Sequence, residues 1–161
     1  HTIFIHFIYS HRNIYQMDQV TPYLFYFYQI NFIEFLIQSF DKQTFLIKKR
    51  ILIIIKKLAE LQSNEIYCRL IKNDKANYID ICSEFVLYNN DIEIQAIFME
   101  SLISLFQIAE KNGEGEIISA SLDINDFASS CLESEDNHVK ELGKVFFNLI
   151  QNNQDKKKDF D

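Results

Sequence analysis

Apolar residues recur along this chain at helical spacing, and the blocks they form recur in turn. Phe35, Leu36 and Phe40 are followed 46 residues later by Ile81, Cys82 and Val86, and after a further 46 by Phe127, Ala128 and Leu132. Each block leads into a longer series: Ile47, Ile51, Ile55 and Leu58, then Ile94, Phe98, Leu102 and Leu105, then Val139, Gly143, Phe147 and Ile150. Such steps hold one side of a helix toward a core. The longer series advances by 47 and then 45 residues, because the turn at Asn89-Asn90-Asp91 is one residue longer than its counterparts. Helical units repeating every ~40–47 residues mark armadillo and HEAT arrays, in which neighbouring units cover one another's apolar faces. The pattern predicts an all-α fold, a right-handed armadillo/HEAT-like helical-repeat solenoid (an α-α superhelix) of about three repeats.

The repeats are expected over residues 20–151, divided near 20–61, 62–112 and 113–151. A segment 1–19 that does not match the repeat precedes them and is expected to be disordered or an artefact; a polar tail, 152–161, follows. In the first unit Pro22 suits the opening turn of a helix over about 23–40, where its missing donor costs nothing. Asp41 is expected to cap a second helix reaching about Leu61. The second unit predicts a short helix over 63–71 capped by Ser63, a polar link at 72–75, a medium helix over 76–88 and a long one over 91–111, stopped by Gly113 and Gly115. The third predicts the same order over 116–122, 125–134 and 137–151. Short, medium and long helices in that order are the armadillo arrangement, whereas a HEAT unit has two.

Composition narrows the function classes. The chain has 161 residues, of which 48% are apolar, too many for a disordered main body. A formal charge of −7 argues against nucleic acid, which needs clustered Lys and Arg. The charge is uneven: residues 41–57 hold five Lys, one Arg and one Asp, while from Gln107 onward 12 Asp or Glu face 6 Lys. The 25 isoleucines and the single proline also fit an AT-rich gene, so scarcity of Pro and Gly is weak support for helix; base composition does not space apolar residues. Cys68, Cys82 and Cys131 are scattered and read as small core thiols in a reducing compartment, cytoplasm or nucleus. Residues 20–37 include only Glu34 as a charge, but Pro22, Gln29 and Asn31 interrupt them, and the stretch is read as buried helix rather than a membrane span.

The segment from Lys48 to Ile150 resembles the C-terminal armadillo repeats of importin α, the adaptor family that carries nuclear localisation signals. The resemblance rests on Ile66-Tyr67-Cys68-Arg69-Leu70-Ile71, on Ile79-Asp80-Ile81-Cys82-Ser83-Glu84-Phe85, on Asn90-Asp91-Ile92-Glu93-Ile94 and on Met99-Glu100-Ser101-Leu102-Ile103-Ser104-Leu105. The ending Leu132-Glu133-Ser134-Glu135-Asp136-Asn137 is similar to that family's atypical last repeat. The resemblance implies a non-catalytic adaptor that holds extended peptides on the long helices, in cytoplasm and nucleus, with a transport receptor as a further partner. The family reads basic peptides with Trp and Asn one turn apart; by register those places fall on Ile53 and Lys57, then Glu100 and Ser104, and the chain has no Trp. The signal-reading array is therefore absent, and the chain is expected to be the terminal part of a longer solenoid, with more repeats on its N-terminal side, or a diverged relative.

The candidate protein-binding residues are Lys49, Ile53, Lys57, Glu100 and Ser104, which share the groove-facing stripe if that register holds. The surrounding cluster of Lys48, Lys49, Arg50, Lys56 and Lys57 reads either as a solvated face or as a basic patch for an acidic partner, including a neighbouring repeat. His1, His6 and His11 step by five and share no helical face, and His138 is expected at the surface. The aromatic run Tyr23, Phe25, Tyr26, Phe27 and Tyr28 lacks interleaved Lys or Arg for stacking bases and is expected to cover the open end of the first repeat. No nucleophile–base motif, metal-ligand spacing or phosphate-binding loop occurs, so no enzyme and no cofactor are expected. The leading expectation is a protein-binding repeat module; the alternative is a scaffold subunit of a larger cytoskeletal or ciliary assembly.

Overall fold

The computed structural model describes residues 31–73, 77–120 and 122–158. The chain divides into two compact units, 1–33 and 34–161. Only residues 31–33 of the first are described, so the segment 1–19, Pro22 and the aromatic run lie outside the described residues. The second unit is all helix and connection, with no strand among the described residues. Its order is α1 (Phe32–Ser39, from Glu34 in this unit), a 3-10 turn (Phe40–Lys42), α2 (Phe45–Glu60), α3 (Asn64–Ile71), α4 (Tyr78–Tyr88), α5 (Ile92–Lys111), α6 (Gly115–Ser119), α7 (Leu122–Leu132) and α8 (Asn137–Lys158). Short, medium and long helices thus occur twice in succession, as α3–α4–α5 and α6–α7–α8.

Local chemistry sets most of the boundaries. Ser63, Asn77 and Asp91 each accept a hydrogen bond from a backbone N–H in the first turn of the helix they precede, which satisfies one of the donors that a helix start leaves open. At the end of α5, Gly113 takes φ +73°. There Glu114 N donates to Ala109 O at 2.7 Å and Gly113 N to Glu110 O at 3.0 Å, the paired bonds of a left-handed glycine stop. Three expected boundaries move. Asp41 does not cap α2; it lies in the 3-10 turn, and Thr44 precedes the helix. Gly115 opens α6 instead of ending α5. The polar tail, within the described residues, continues α8 as far as Lys158.

The three long helices pack side by side in chain order, α2 on α5 and α5 on α8. A second layer has α4 on α7, and the short helices α3 and α6 bridge the layers. Of the longer apolar series, Ile51, Ile55, Leu58, Ile94, Phe98, Leu102, Leu105, Val139 and Ile150 are buried. Two members depart. Ile47 is 37% exposed because it sits in the first turn of α2, and Phe147 is half-buried. Leu36 and Ile37 of α1 and Phe40 of the 3-10 turn are buried, and Phe35, about 100° around the helix from Leu36, is 52% exposed. Gly143 permits close crossing of α7 and α8, since a Cβ there would lie 3.2 Å from Cys131 Cβ and 3.3 Å from Leu132 N.

A line of rings joins the layers: Tyr78 of α4 to Phe98 of α5 at 5.3 Å between centroids, and Phe98 to Phe127 of α7 at 5.3 Å. The Tyr78 hydroxyl is paired with Ser101 Oγ at 2.7 Å, and Ser101 donates to Phe98 O at 2.7 Å. Burial drives the Tyr78 phenol well above its ordinary value, so it stays neutral in the core. Phe98 is wholly buried with a ring on either side, and deleting a buried Phe side chain costs about 3–5 kcal/mol. Phe98→Ala is therefore expected to destabilise by that amount in urea unfolding. Tyr78→Phe, which removes one hydrogen bond, is expected to cost about 0.5–1.5 kcal/mol.

All three thiols are free, with Cys82 and Cys131 buried and Cys68 half-buried. Burial pushes the Cys131 thiol up to about 12 and Cys82 well above its ordinary value, which removes the thiolate that reacts. Iodoacetamide on the native chain is expected to label Cys68 first; labelling of Cys82 or Cys131 before unfolding would contradict this core.

Candidate groove between the long helices

The long helices are held by polar ties as well as by apolar packing, and the ties run in parallel register from end to end. At the start, Lys49 Nζ donates to Glu93 Oε2 at 2.7 Å and to Asp91 Oδ2 at 3.5 Å. Midway, Lys56 forms an ion pair with Glu100. At the far end Gln62 takes φ +53°, a left-handed conformation that costs a side chain about 1–3 kcal/mol. The turn aims its amide at α5, where Nε2 donates to Ser104 O at 3.2 Å and Oε1 accepts from Lys111 at 3.3 Å. Asn112 adds a 2.6 Å bond to Asn64 Oδ1.

An open groove of about 580 Å³ lies beside the Lys56–Glu100 tie. Ile53, Lys56 and Lys57 line it from α2, Ile92, Glu93, Ala96, Ile97 and Glu100 from α5, and Asp136 and His138 from the start of α8. Its floor is apolar and its rim carries both charge signs. His138 Nε2 reaches Glu100 Oε1 at 3.6 Å, and Asp136 Oδ1 caps α8 by accepting from Val139 N at 3.0 Å. The groove is therefore bounded by three helices that the 46-residue repeat makes neighbours.

The five residues expected to bind partners fall in different roles. Ile53 and Glu100 line the groove, as does Lys57, whose side chain is 60% exposed and pairs with Glu60 at 2.8 Å. Lys49 and Ser104 lie outside the lining and serve the ties between α2 and α5. Of the two readings of the basic cluster, Lys49 and Lys56 fit the one in which a neighbouring helix supplies the acid. Ile92, Ala96, Ile97, Asp136 and His138 were not singled out as binding residues. The first three share the α5 face with Glu100, a signal available in the spacing. The placement of Asp136 and His138 depends on how the turn before α8 folds, which no local pattern encodes. His138 is 64% exposed, in keeping with the surface position expected for it.

A second polar cluster lies away from the groove, where the end of α3 meets the turn after α5. Lys72 pairs with Glu114 and lies 5.8 Å from the Tyr67 ring. Burial and the Glu114 carboxylate raise Tyr67 far above its ordinary value, although neither its hydroxyl nor Glu114 Oε2 has a well-formed hydrogen bond. Among the described residues no group of His, Cys, Asp and Glu could hold a metal ion. α5 is long and apolar enough to cross a membrane, with mean hydropathy 1.4, yet 61% of that stretch is buried in the fold, as in the core helix of a helical array.

The Lys49 tie has a defined pH dependence. Its hydrogen bond to Glu93 and the nearby carboxylates outweigh desolvation and hold the ammonium above the ordinary 10.5. A raised cation contributes fully below its unfolded value and loses the contribution as pH climbs through the folded one. A Lys49→Ala, Glu93→Ala double-mutant cycle is expected to give a coupling of about 0.2–1 kcal/mol, as for other surface pairs. That coupling should shrink with salt and, on the alkaline side, persist until the pH climbs above 10.5; a coupling that instead grows with alkaline pH would contradict the tie. In comparisons with protein-family models, with characterised proteins and with solved structures, no match to this chain is found.

Proposed function

We propose that this chain is a non-catalytic protein-binding module, an armadillo-like helical-repeat solenoid that receives an extended peptide along its long helices. The observation that carries the reading is the groove with an apolar floor and rims of both signs, made by α2, α5 and α8. Apolar floors bury side chains of a ligand, and charged rims set its direction. The stacked order of the long helices and the parallel register of their ties support the solenoid. The specific form of the proposal is an importin-α-like adaptor in nuclear protein import, acting between cytoplasm and nucleus, with other proteins as its partners. It rests on the resemblance in sequence and on that groove.

One observation favours a second reading, a scaffold subunit of a larger assembly. Lys49, Lys56 and Glu100 spend their charge on one another's helices, and the chain has no Trp to clamp a lysine stem. A scaffold needs the stack and no open groove.

Anisotropy of a labelled basic localisation peptide separates the two. The adaptor reading expects saturable binding at micromolar concentration, weakened at least about tenfold, near 1.4 kcal/mol, by Ile53→Glu on the half-buried floor. Absence of binding by a chain whose circular dichroism stays helical would sink the adaptor and leave the scaffold.

A further inference from the structure

We propose that Glu100 Oε1 is where the groove takes a cationic side chain of its ligand, and that His138 withdraws this acceptor when protonated. The inference rests on the peptide-groove reading above and adds to it an acceptor atom and a control by pH. Three helices bring one polar group each to this point: Lys56 from α2, Glu100 from α5 and His138 from α8. Lys56 is paired with Oε2 of Glu100, while His138 Nε2 stands 3.6 Å from Oε1. That separation exceeds hydrogen-bond range, so among the described residues Oε1 carries no such bond.

The other carboxylates of the lining are engaged. Glu93 accepts from Lys49 at 2.7 Å, and Asp136 Oδ1 accepts from Val139 N at 3.0 Å. Beside Glu100 the groove offers Ala96 and Ile97, one turn back on α5, and Ile53 on α2. A ligand Lys or Arg can lay its aliphatic stem on such a surface while its head meets the carboxylate. The Glu100 side chain keeps 28% of its surface open to such a contact.

Imidazole is the side chain whose ordinary titration falls between about pH 5 and 8. The charged groups that share the groove with His138 are Glu93 and Glu100 from α5, Lys56 and Lys57 from α2, and Asp136 from its own turn. Lys49 holds Glu93, Glu60 holds Lys57, and Glu141, one turn along α8, is held by Lys144. Glu100 is the carboxylate within ion-pair reach of His138. Once protonated, the ring donates to Oε1 after a small movement and sets a second cation beside Lys56. A ligand ammonium or guanidinium then meets an occupied acceptor and two like charges. Proton and ligand cation therefore exclude each other at one oxygen, and affinity rises with pH across the imidazole range.

The test is anisotropy of an acetylated, amidated peptide of Lys, Ala and Ile, carrying a pH-insensitive dye, with the full chain. Measurements are made near pH 5.5 and near pH 8, toward either end of the imidazole range. The native chain should bind about two- to fivefold more weakly at the lower pH, the size of an exposed ion pair. His138→Gln should keep its high-pH affinity at the lower pH. His138→Lys, with a fixed charge, should bind at both as the native chain does in acid. Glu100→Gln should weaken binding at the higher pH by a similar factor; if circular dichroism shows it unfolded, the two variants of the largely exposed His138 carry the test. A flat native profile, or one that survives His138→Gln, would overturn the switch. A ligand-free readout separates this from the groove reading. A His138→Gln, Glu100→Gln double-mutant cycle in urea unfolding should show coupling at the lower pH and none at the higher. Equal coupling at both overturns the switch even where the peptide binds. Absence of peptide binding at both, with the coupling as expected, instead overturns the groove reading and the ligand's place with it.

Discussion

The packing of the second unit depends on α5 being wrapped. It is the middle of three long helices, with α2 on one side, α8 on the other and the short and medium helices behind it. A helix contacted from that many directions needs apolar residues over most of its circumference, and α5 has them: Ile94, Phe98, Leu102 and Leu105 toward the second layer, Ile97 and Ile108 toward one flank, Met99 and Phe106 toward the other. Its membrane-like hydropathy is the signature of that position. The polar atoms it does bury are disposed of locally, as where Ser101 serves both Tyr78 and its own helix backbone.

The wrapping leaves only a narrow polar strip on α5, and the strip does two jobs. Glu93, Glu100 and Ser104 take the ties from Lys49, Lys56 and Gln62, which hold α2 and α5 in parallel register. Individually such exposed pairs are weak; their value is in direction, since each joins equivalent levels of adjacent helices. Glu93 and Glu100 of that strip, with Ile92, Ala96 and Ile97, form one wall of the groove. Groove chemistry and stack alignment are thus drawn from the same residues, and a charge that aligns the helices is partly withdrawn from any ligand.

The two ends of that logic differ. Where α5 meets α8 the contact is a ring pair and a glycine-tight crossing of α7 and α8 behind it. On α8 itself Lys144, Asn148 and Gln151 are exposed. The repeat therefore keeps its inward-facing positions while changing the sideways-facing ones from unit to unit.

Those inward positions were legible from the chain alone, because burial on one face imposes a spacing that neither composition nor turn length obscures. The cap at Ser63 was also legible, since it is a local bond between neighbours in sequence. The misplaced features share a different cause. Ile47 and Phe35 obey the spacing, yet they stay 37% and 52% exposed, because spacing places a residue on a face and only tertiary packing decides how far that face is covered. Asp41 is a good cap residue diverted into a 3-10 turn, and the polar residues after 151 continue a helix despite reading as a tail. Most of all, sequence placed Lys49, Ile53, Lys57, Glu100 and Ser104 on one stripe without saying which would meet solvent and which another helix. That was decided by tertiary structure alone, because an ion pair between residues 44 apart exists only once two helices have been brought side by side.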